Sequence, residues 1–350
     1  MAKKIRASAP AKVILFGEHF VVYGKRALAA AINRRLTVEV SSREKEGYHV
    51  KIENIPTFGM AMDLEDKKAY PYKDYGGAAK AIAYVRESIG LLEERYGIGK
   101  EGVEIEIKSE IPLSAGLGSS AATCVATIAA LKAFFGVRSD LDGIRADAHR
   151  VELAVQGAAS PVDTAISTYG GYVLVEEGNV RRLHLAELTL IVGCVGCIPL
   201  SMDTKKASEI GLKTKKIVEE VRRRKDTFPD VYNHIFDAAD EITGQAIEAI
   251  EHCELAKLGA LIRINQGLLD AIGVVPGRLS ELVKTSQEVG ALGAKVTGAG
   301  GLDDMGSIGS VLVLPGKSEA KIKVALELAG ALVMDVKTGG AGLKIEADHR

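Results

Sequence analysis

The stretch Glu110-Ile-Pro-Leu-Ser-Ala-Gly-Leu-Gly-Ser-Ser-Ala-Ala122 runs straight into an apolar segment, Thr123–Phe135, of helical composition. Gly116 and Gly118 allow the backbone angles closed to other residues and a close approach to a ligand. The helix that follows turns unpaired N–H groups and the positive end of its dipole toward whatever the loop holds, so an anion is the natural guest. Ser119 and Ser120 stand where a hydroxyl can cap the helix, or where one of them can instead ligate Mg²⁺ bridging nucleotide phosphates. The loop is neither Gly-x-x-x-x-Gly-Lys-Ser nor Gly-x-Gly-x-x-Gly, which excludes the two commonest phosphate fingerprints. Read alone, the same residues also describe a tight turn and an ordinary N-cap.

A chain of 350 residues, 47% hydrophobic and 26% charged, can bury a large core and is expected to form two lobes. A formal net charge of -1 provides no general attraction to nucleic acid or to anionic lipid. Neither a secretory leader nor an apolar run of membrane-spanning length is evident, so a cytoplasmic protein without a membrane partner is expected. Cys124, Cys194, Cys197 and Cys253 are too few for a disulfide scaffold. Cys194 and Cys197 have metal-pair spacing but no second pair, and they lie in an apolar run that reads as a buried strand.

Lys4–Leu15 reads as a strand with one polar intrusion at Lys12, followed by Gly17-Glu18-His19 and a return through Ala27–Ile32. Glu18 and His19 sit between Phe16 and Phe20, and a buried charge there needs a partner or a ligand. A core histidine satisfied by a carboxylate is the plainer alternative. Leu36–Ser41 and Tyr48–Ile52 read as a hairpin, 54–75 as a surface loop, Ala78–Tyr96 as a helix and Val103–Lys108 as a strand leading into the glycine loop. Leu141–Gln156 is a further helix carrying Glu152. Pro161 suits the first turn of the next helix, where Asp163 would also interact well with the dipole. After the strand Tyr172–Val175 the character shifts near residue 185, giving an N-terminal domain over 1–185 and a C-terminal domain over 186–350. The second half is read as strand Thr189–Val195, helices across Thr204–Arg224, Val231–Ile250, Leu255–Leu269 and Leu279–Gly290, strands Ala294–Thr297 and Ser310–Leu314, helix Glu319–Ala329 and a last strand Ala331–Lys337. This alternation indicates an α+β sandwich.

Three separated motifs agree in order and spacing. Lys12-Val-Ile-Leu-Phe-Gly-Glu-His-Phe-Val-Val-Tyr-Gly24, Pro112-Leu-Ser-Ala-Gly-Leu-Gly-Ser-Ser-Ala121 and Lys295-Val-Thr-Gly-Ala-Gly-Gly301 resemble those of the galactokinase, homoserine kinase, mevalonate kinase and phosphomevalonate kinase superfamily. Gly-Glu-His before Val-Val-Tyr-Gly, with Ser160-Pro-Val-Asp-Thr-Ala-Ile-Ser-Thr-Tyr-Gly-Gly171, is similar to its mevalonate kinase branch in the archaeal form. The resemblance implies an α+β fold of two domains, the first with a left-handed strand–helix–strand crossover and the second ferredoxin-like, with the site between them. It implies ATP and Mg²⁺ as cofactors and a small alcohol, (R)-mevalonate, as the acceptor phosphorylated for isoprenoid synthesis. Asp163 would be the catalytic carboxylate that takes the hydroxyl proton and Lys12 its cationic neighbour. Ser120 and Glu152 would hold the metal, and Glu18 and His19, with Asp163, would face the acceptor. Pro112, Ser114, Ala115, Gly116, Leu117, Gly118, Ser119, Ser120, Ala121 and Ala122 would form the nucleotide loop.

Some positions depart from the pattern. Ala11 stands where glycine often precedes the lysine, and Phe20 replaces a smaller residue. Leu302–Ile308, with Asp303 and Asp304, intervenes after the third motif, where added carboxylates would repel phosphate unless they turn away. The rival readings are a sister kinase acting on phosphomevalonate, the mevalonate 3-hydroxyl, homoserine or a sugar, and a sensor on the same fold that has lost catalysis. Oligomeric state is left open, a homodimer included.

Overall fold

The computed structural model describes residues 3–52, 60–63, 68–71, 77–99, 101–112, 115–157, 159–196, 210–302 and 309–348. Strand β1 (Lys4–Phe16) alternates in burial up to Ser8 and is then buried almost continuously. Helices cover its later half on one side and the C-terminal unit reaches it on the other. It pairs antiparallel with β2 (Ala27–Ser42), and the register slips between Pro10↔Arg35 and Lys12↔Ala31, leaving extra residues on β2 beside Lys12. Bulges of this kind re-aim side chains next to functional sites.

The expected hairpin of β2 with β3 (Tyr48–Ile52) does not form. Strand β6 (Val103–Ser109) lies between them, antiparallel to β2 and parallel to β3. The turn at 43–47 wraps the incoming strand: Arg43 N–H donates to Gly102 C=O at 2.8 Å and Val103 N–H to Gly47 C=O at 2.9 Å. A Cβ on Gly102 would stand 2.2 Å from the Lys45 carbonyl oxygen, so only glycine passes beneath that turn. Within the stretch read as a loop, β4 (Met60–Asp63) and β5 (Lys68–Pro71) form an antiparallel pair that extends the sheet past β3. The remainder of 54–75 lies outside the described residues.

Helices α2 (Ser119–Phe135) and α4 (Pro161–Tyr169) pack on this sheet, and α1 (Gly77–Tyr96) and α3 (Leu141–Gln156) pack against α2. α2 is apolar on every side because α1, α3, α4 and strands β1 and β2 surround it. β7 (Tyr172–Glu176) pairs with β2 and continues into β8 (Asn179–Leu183), a strand absent from the sequence reading. Their turn places Glu177 and Gly178 at φ 50 and 79, the positive-φ pair that matches strand twist in a two-residue hairpin.

The C-terminal unit contains β9 (Thr189–Val195), α5 (Ile210–Thr227), α6 (Pro229–Glu251), α7 (Leu255–Ala271), α8 (Gly277–Glu288), β10 (Gly293–Thr297), β11 (Gly309–Leu314), α9 (Glu319–Leu328) and β12 (Leu332–Lys337). Its sheet has the antiparallel order β10-β11-β9-β12, the ferredoxin-like arrangement, with α5 to α7 added between its first two strands. Beyond the strand taken as last, β13 (Lys344–Asp348) returns to pair with β1. The two units share one core, in which Val13 and Val125 cluster with Leu190, Val192 and Leu312. Cys194 is buried in β9, its Sγ 2.9 Å from Ser310 Oγ, and Cys197 lies outside the described residues. Among the described residues no helix is long and apolar enough to cross a membrane.

Candidate active site

The loop after β6 reaches α2 through residues 115–118; Pro112 is described, while Ser114 lies outside the described residues. Gly116 and Gly118 have φ of 71° and 76°. Gly118 is the N-cap of α2, and no side chain among the described residues caps that helix. Ser119 and Ser120 therefore do not act as caps but occupy the first turn, and the helix end is left to receive an anion. The loop is fixed by its carbonyls: Leu117 C=O accepts from Lys12 N–H at 2.9 Å and Ala115 C=O from Ser310 Oγ at 2.6 Å. The third motif lies against it, since a Cβ on Gly298 would come within 3.4 Å of Gly116 O. Ala121 and Ala122 are buried in the helix, and Ala122 N–H is bonded to Gly118 C=O at 3.0 Å.

Lys12 and Asp163 meet at this loop. Nζ lies 3.1 Å from Oδ1, with the lysine side chain 4% exposed and the aspartate 26%. Asp163 sits in the first turn of α4, which is capped by Ser160 Oγ accepting from Val162 N–H and begins at Pro161. Its favourable dipole position and its lysine partner coexist. A Cβ on Gly118 would stand 2.8 Å from Lys12 Cγ, so the glycine opens the path by which the lysine reaches the carboxylate.

Ser120 Oγ donates to Glu152 Oε1 at 2.7 Å, which joins the first turn of α2 to the last of α3. Gln156 Nε2 donates to the same oxygen at 3.0 Å, while Glu152 Oε2 is buried without a hydrogen-bond partner among the described residues. Burial, and next the charge of Asp163, push the Glu152 carboxyl up to about 7. The Tyr84 hydroxyl, brought in by α1, is buried without a hydrogen-bond partner among the described residues, and burial first of all raises its pKa. An orphaned carboxylate oxygen beside a second carboxylate fits a divalent cation. Among the described residues no group of three His, Cys, Asp or Glu side chains gathers to hold a metal, so the nucleotide's own phosphates would have to complete its shell.

Glu18 and His19 follow the end of β1. Glu18 is fully buried in an ion pair with Lys295 of β10; its other oxygen has no partner among the described residues, and burial raises its pKa against the pull of Lys295. Burial also lowers the pKa of Lys295. His19 has φ 61, an uncommon value for a non-glycine residue. Its Nε2 lies 2.9 Å from the Ala299 carbonyl, which only accepts, so Nε2 carries the proton. Burial lowers the histidine pKa, which favours the neutral ring with Nδ1 as an acceptor. Ile14 and Thr297 tie β1 to β10 further, Thr297 Oγ1 donating to Ile14 C=O at 2.9 Å. Phe20 turns into the core against Phe236, the ring centroids 5.4 Å apart.

The loop, the Lys12–Asp163 pair and the Ser120–Glu152 contact are thus built on β1, α2, α3 and α4, and Ser310 and Gly298 of the C-terminal unit lie against the loop. Sequence reasoning gave no role to Lys295, Gln156 or Tyr84. A lysine inside the apolar strand Gly293–Thr297 was a readable signal, because a buried ammonium needs a counter-charge. Nothing local marked Gln156 or Tyr84.

Residues 83–171 match the family described as GHMP kinases N terminal domain, and residues 246–302 that described as GHMP kinases C terminal. The mevalonate kinase of Thermococcus sibiricus is 38% identical over 348 residues, covering 98% of each chain. That of Pyrococcus furiosus is likewise 38% identical over 348 residues, with 98% of both chains covered. Among solved structures, L. major mevalonate kinase in complex with R-mevalonate superposes with a TM-score of 0.76 over 96% of either chain at 24% identity, a likeness of fold.

Proposed function

The chain belongs to the mevalonate kinase family of the GHMP kinases, and from that membership we propose that it transfers the γ-phosphoryl group of ATP to the 5-hydroxyl of (R)-mevalonate, giving (R)-5-phosphomevalonate for isoprenoid synthesis. The observation that carries the reading is the Lys12–Asp163 pair at the mouth of an uncapped helix N-terminus. Asp163 accepts the proton of the primary hydroxyl as its oxygen bonds to the γ-phosphorus. The bond from that phosphorus to the bridging oxygen breaks, and ADP leaves with the electron pair. Lys12 stabilises the charge that builds on the phosphoryl oxygens, where positioned cations carry most of the catalysis in a loose transition state. The glycine loop and the α2 N-terminus hold the β-phosphate side through backbone N–H groups. Glu152 and Ser120 would hold Mg²⁺, which supplies neutralisation of the phosphate charge when bound. His19 is assigned to the acceptor pocket, and Glu18 to its floor, where it anchors β10 through Lys295. We take 1–185 as the nucleotide-binding domain and 186–350 as its partner, with β13 returning across the boundary to β1.

The acceptor is tested by ADP release from ATP with mevalonate, phosphomevalonate, homoserine, galactose or no acceptor. Mevalonate is expected to exceed the others in kcat/KM by at least about 100-fold. Preference for another acceptor would move the chain to a sister activity, and silence with all of them, with ATP still bound, would favour the sensor.

Gly118→Ala forces a side chain into a left-handed backbone position and against Lys12. With about 1–2 kcal/mol of strain at such a position, kcat/KM for ATP is expected to fall tenfold or more; an unchanged value would argue that the loop does not carry phosphate. The pH dependence has a definite sign. Because the Glu152 pKa is raised to about 7, the carboxyl is protonated below that pH and must lose its proton to bind a cation. Apparent Mg²⁺ affinity should therefore drop about tenfold per unit as pH falls below 7 and level off above it. Mg²⁺ titrations of activity between pH 6 and 8 measure it, and a flat profile would contradict the assignment of Glu152.

A further inference from the structure

We infer that Gln156 is a positioning residue that selects which oxygen of Glu152 is presented to the cation. The inference rests on the reading of Glu152 as the metal ligand and adds a reason why its carboxylate is ready for that task. A carboxylate can rotate to offer either oxygen. Here Oε1 accepts from two donors on two different helices, the Ser120 hydroxyl of α2 at 2.7 Å and the Gln156 amide of α3 at 3.0 Å, whereas Oε2 is buried and accepts none among the described residues. Two donors on one oxygen break the symmetry of the group and leave the other as the oxygen able to meet a cation. Ser120 cannot do this alone once its own lone pair is offered to a cation, because its single proton then has to remain on Oε1 without a second anchor. Gln156 stands one helical turn beyond Glu152, the separation at which helical side chains meet, and at the exposed rim of the site, so it can be replaced without opening the core. Partners that orient a metal ligand typically matter by 10–100-fold in metal affinity.

The test compares ATP affinity with Mn²⁺ and with EDTA in the wild type and in two variants, by equilibrium dialysis, and takes the ratio of the two dissociation constants as the gain due to metal. Gln156→Met keeps the length of the side chain and removes the N–H donor. It should lower the metal-dependent gain about tenfold while leaving the EDTA value and the melting temperature unchanged, a split that loss of general helix stability would not produce. Gln156→His, which restores a ring N–H donor, should recover part of the gain. Glu152→Gln serves as the control for the underlying reading and should abolish the gain. If Glu152→Gln retains the gain, the metal assignment itself fails. If Glu152→Gln loses it and Gln156→Met does not, Glu152 is the ligand and Gln156 has no orienting part.

Discussion

Asp163→Asn is expected to lower kcat by about 1,000-fold, the usual scale for removing a positioned proton acceptor, with ATP affinity changed less than about threefold. The amide keeps the shape of the carboxylate and a carbonyl oxygen near Lys12 Nζ, so the 3.1 Å contact has a replacement and the buried lysine keeps a polar neighbour. What is lost is an oxygen able to take the hydroxyl proton at the moment of attack. The nucleotide loop does not use Asp163, because its anchors are Lys12 N–H and Ser310 Oγ on the carbonyls of Leu117 and Ala115. Stopped turnover with calorimetric ATP binding intact is therefore the outcome specific to proton acceptance. A variant that keeps more than a tenth of wild-type kcat would remove Asp163 from the chemistry.

The largest effect on stability is expected at Lys295. Lys295→Ala leaves the Glu18 carboxylate buried at the junction of β1 and β10 with one oxygen already unpartnered. Breaking one side of a buried ion pair costs about 3–5 kcal/mol, whereas replacing both sides by apolar groups of similar volume is often neutral or better. Urea denaturation should show that loss for Lys295→Ala and its recovery in Glu18→Leu/Lys295→Met. The double variant should nevertheless bind the acceptor less well, since His19 follows Glu18 directly and is held on the Ala299 carbonyl two residues past Thr297. A loss below about 1 kcal/mol for Lys295→Ala would mean that water reaches the pair and that it does not hold the two units together.

What could be read from the sequence, and what could not, divides by range of interaction. The glycine loop, the helices from α1 to α4 and the strands of the second sheet follow from local signals: Gly116 and Gly118, Pro161 after Ser160, and apolar spacing. That Lys12 and Ser120 join Glu152 and Asp163 was legible only through the resemblance, because nothing in the spacing says that β1 and the start of α2 meet the end of α3 and the start of α4. The hairpin of β2 and β3 was misread because the charged turn at 43–47 gives a strong local signal, while the insertion of β6 depends on Gly102, far along the chain. β13 escaped because its partner β1 lies at the opposite end of the sequence. Lys295 was visible as a residue and not as a partner, since ion pairing across two domains leaves no periodicity.

The most direct test is the proton-coupled phosphorus NMR spectrum of the product formed from ATP, Mg²⁺ and (R)-mevalonate. The account places the phosphate on the primary 5-oxygen, next to a CH₂ group, and so predicts a new triplet that grows with ADP and is absent from the Asp163→Asn reaction. A singlet would place the phosphate on the tertiary 3-oxygen, and inorganic phosphate alone would mean that water had taken the acceptor's place; either result would contradict an Asp163 aimed at the primary hydroxyl.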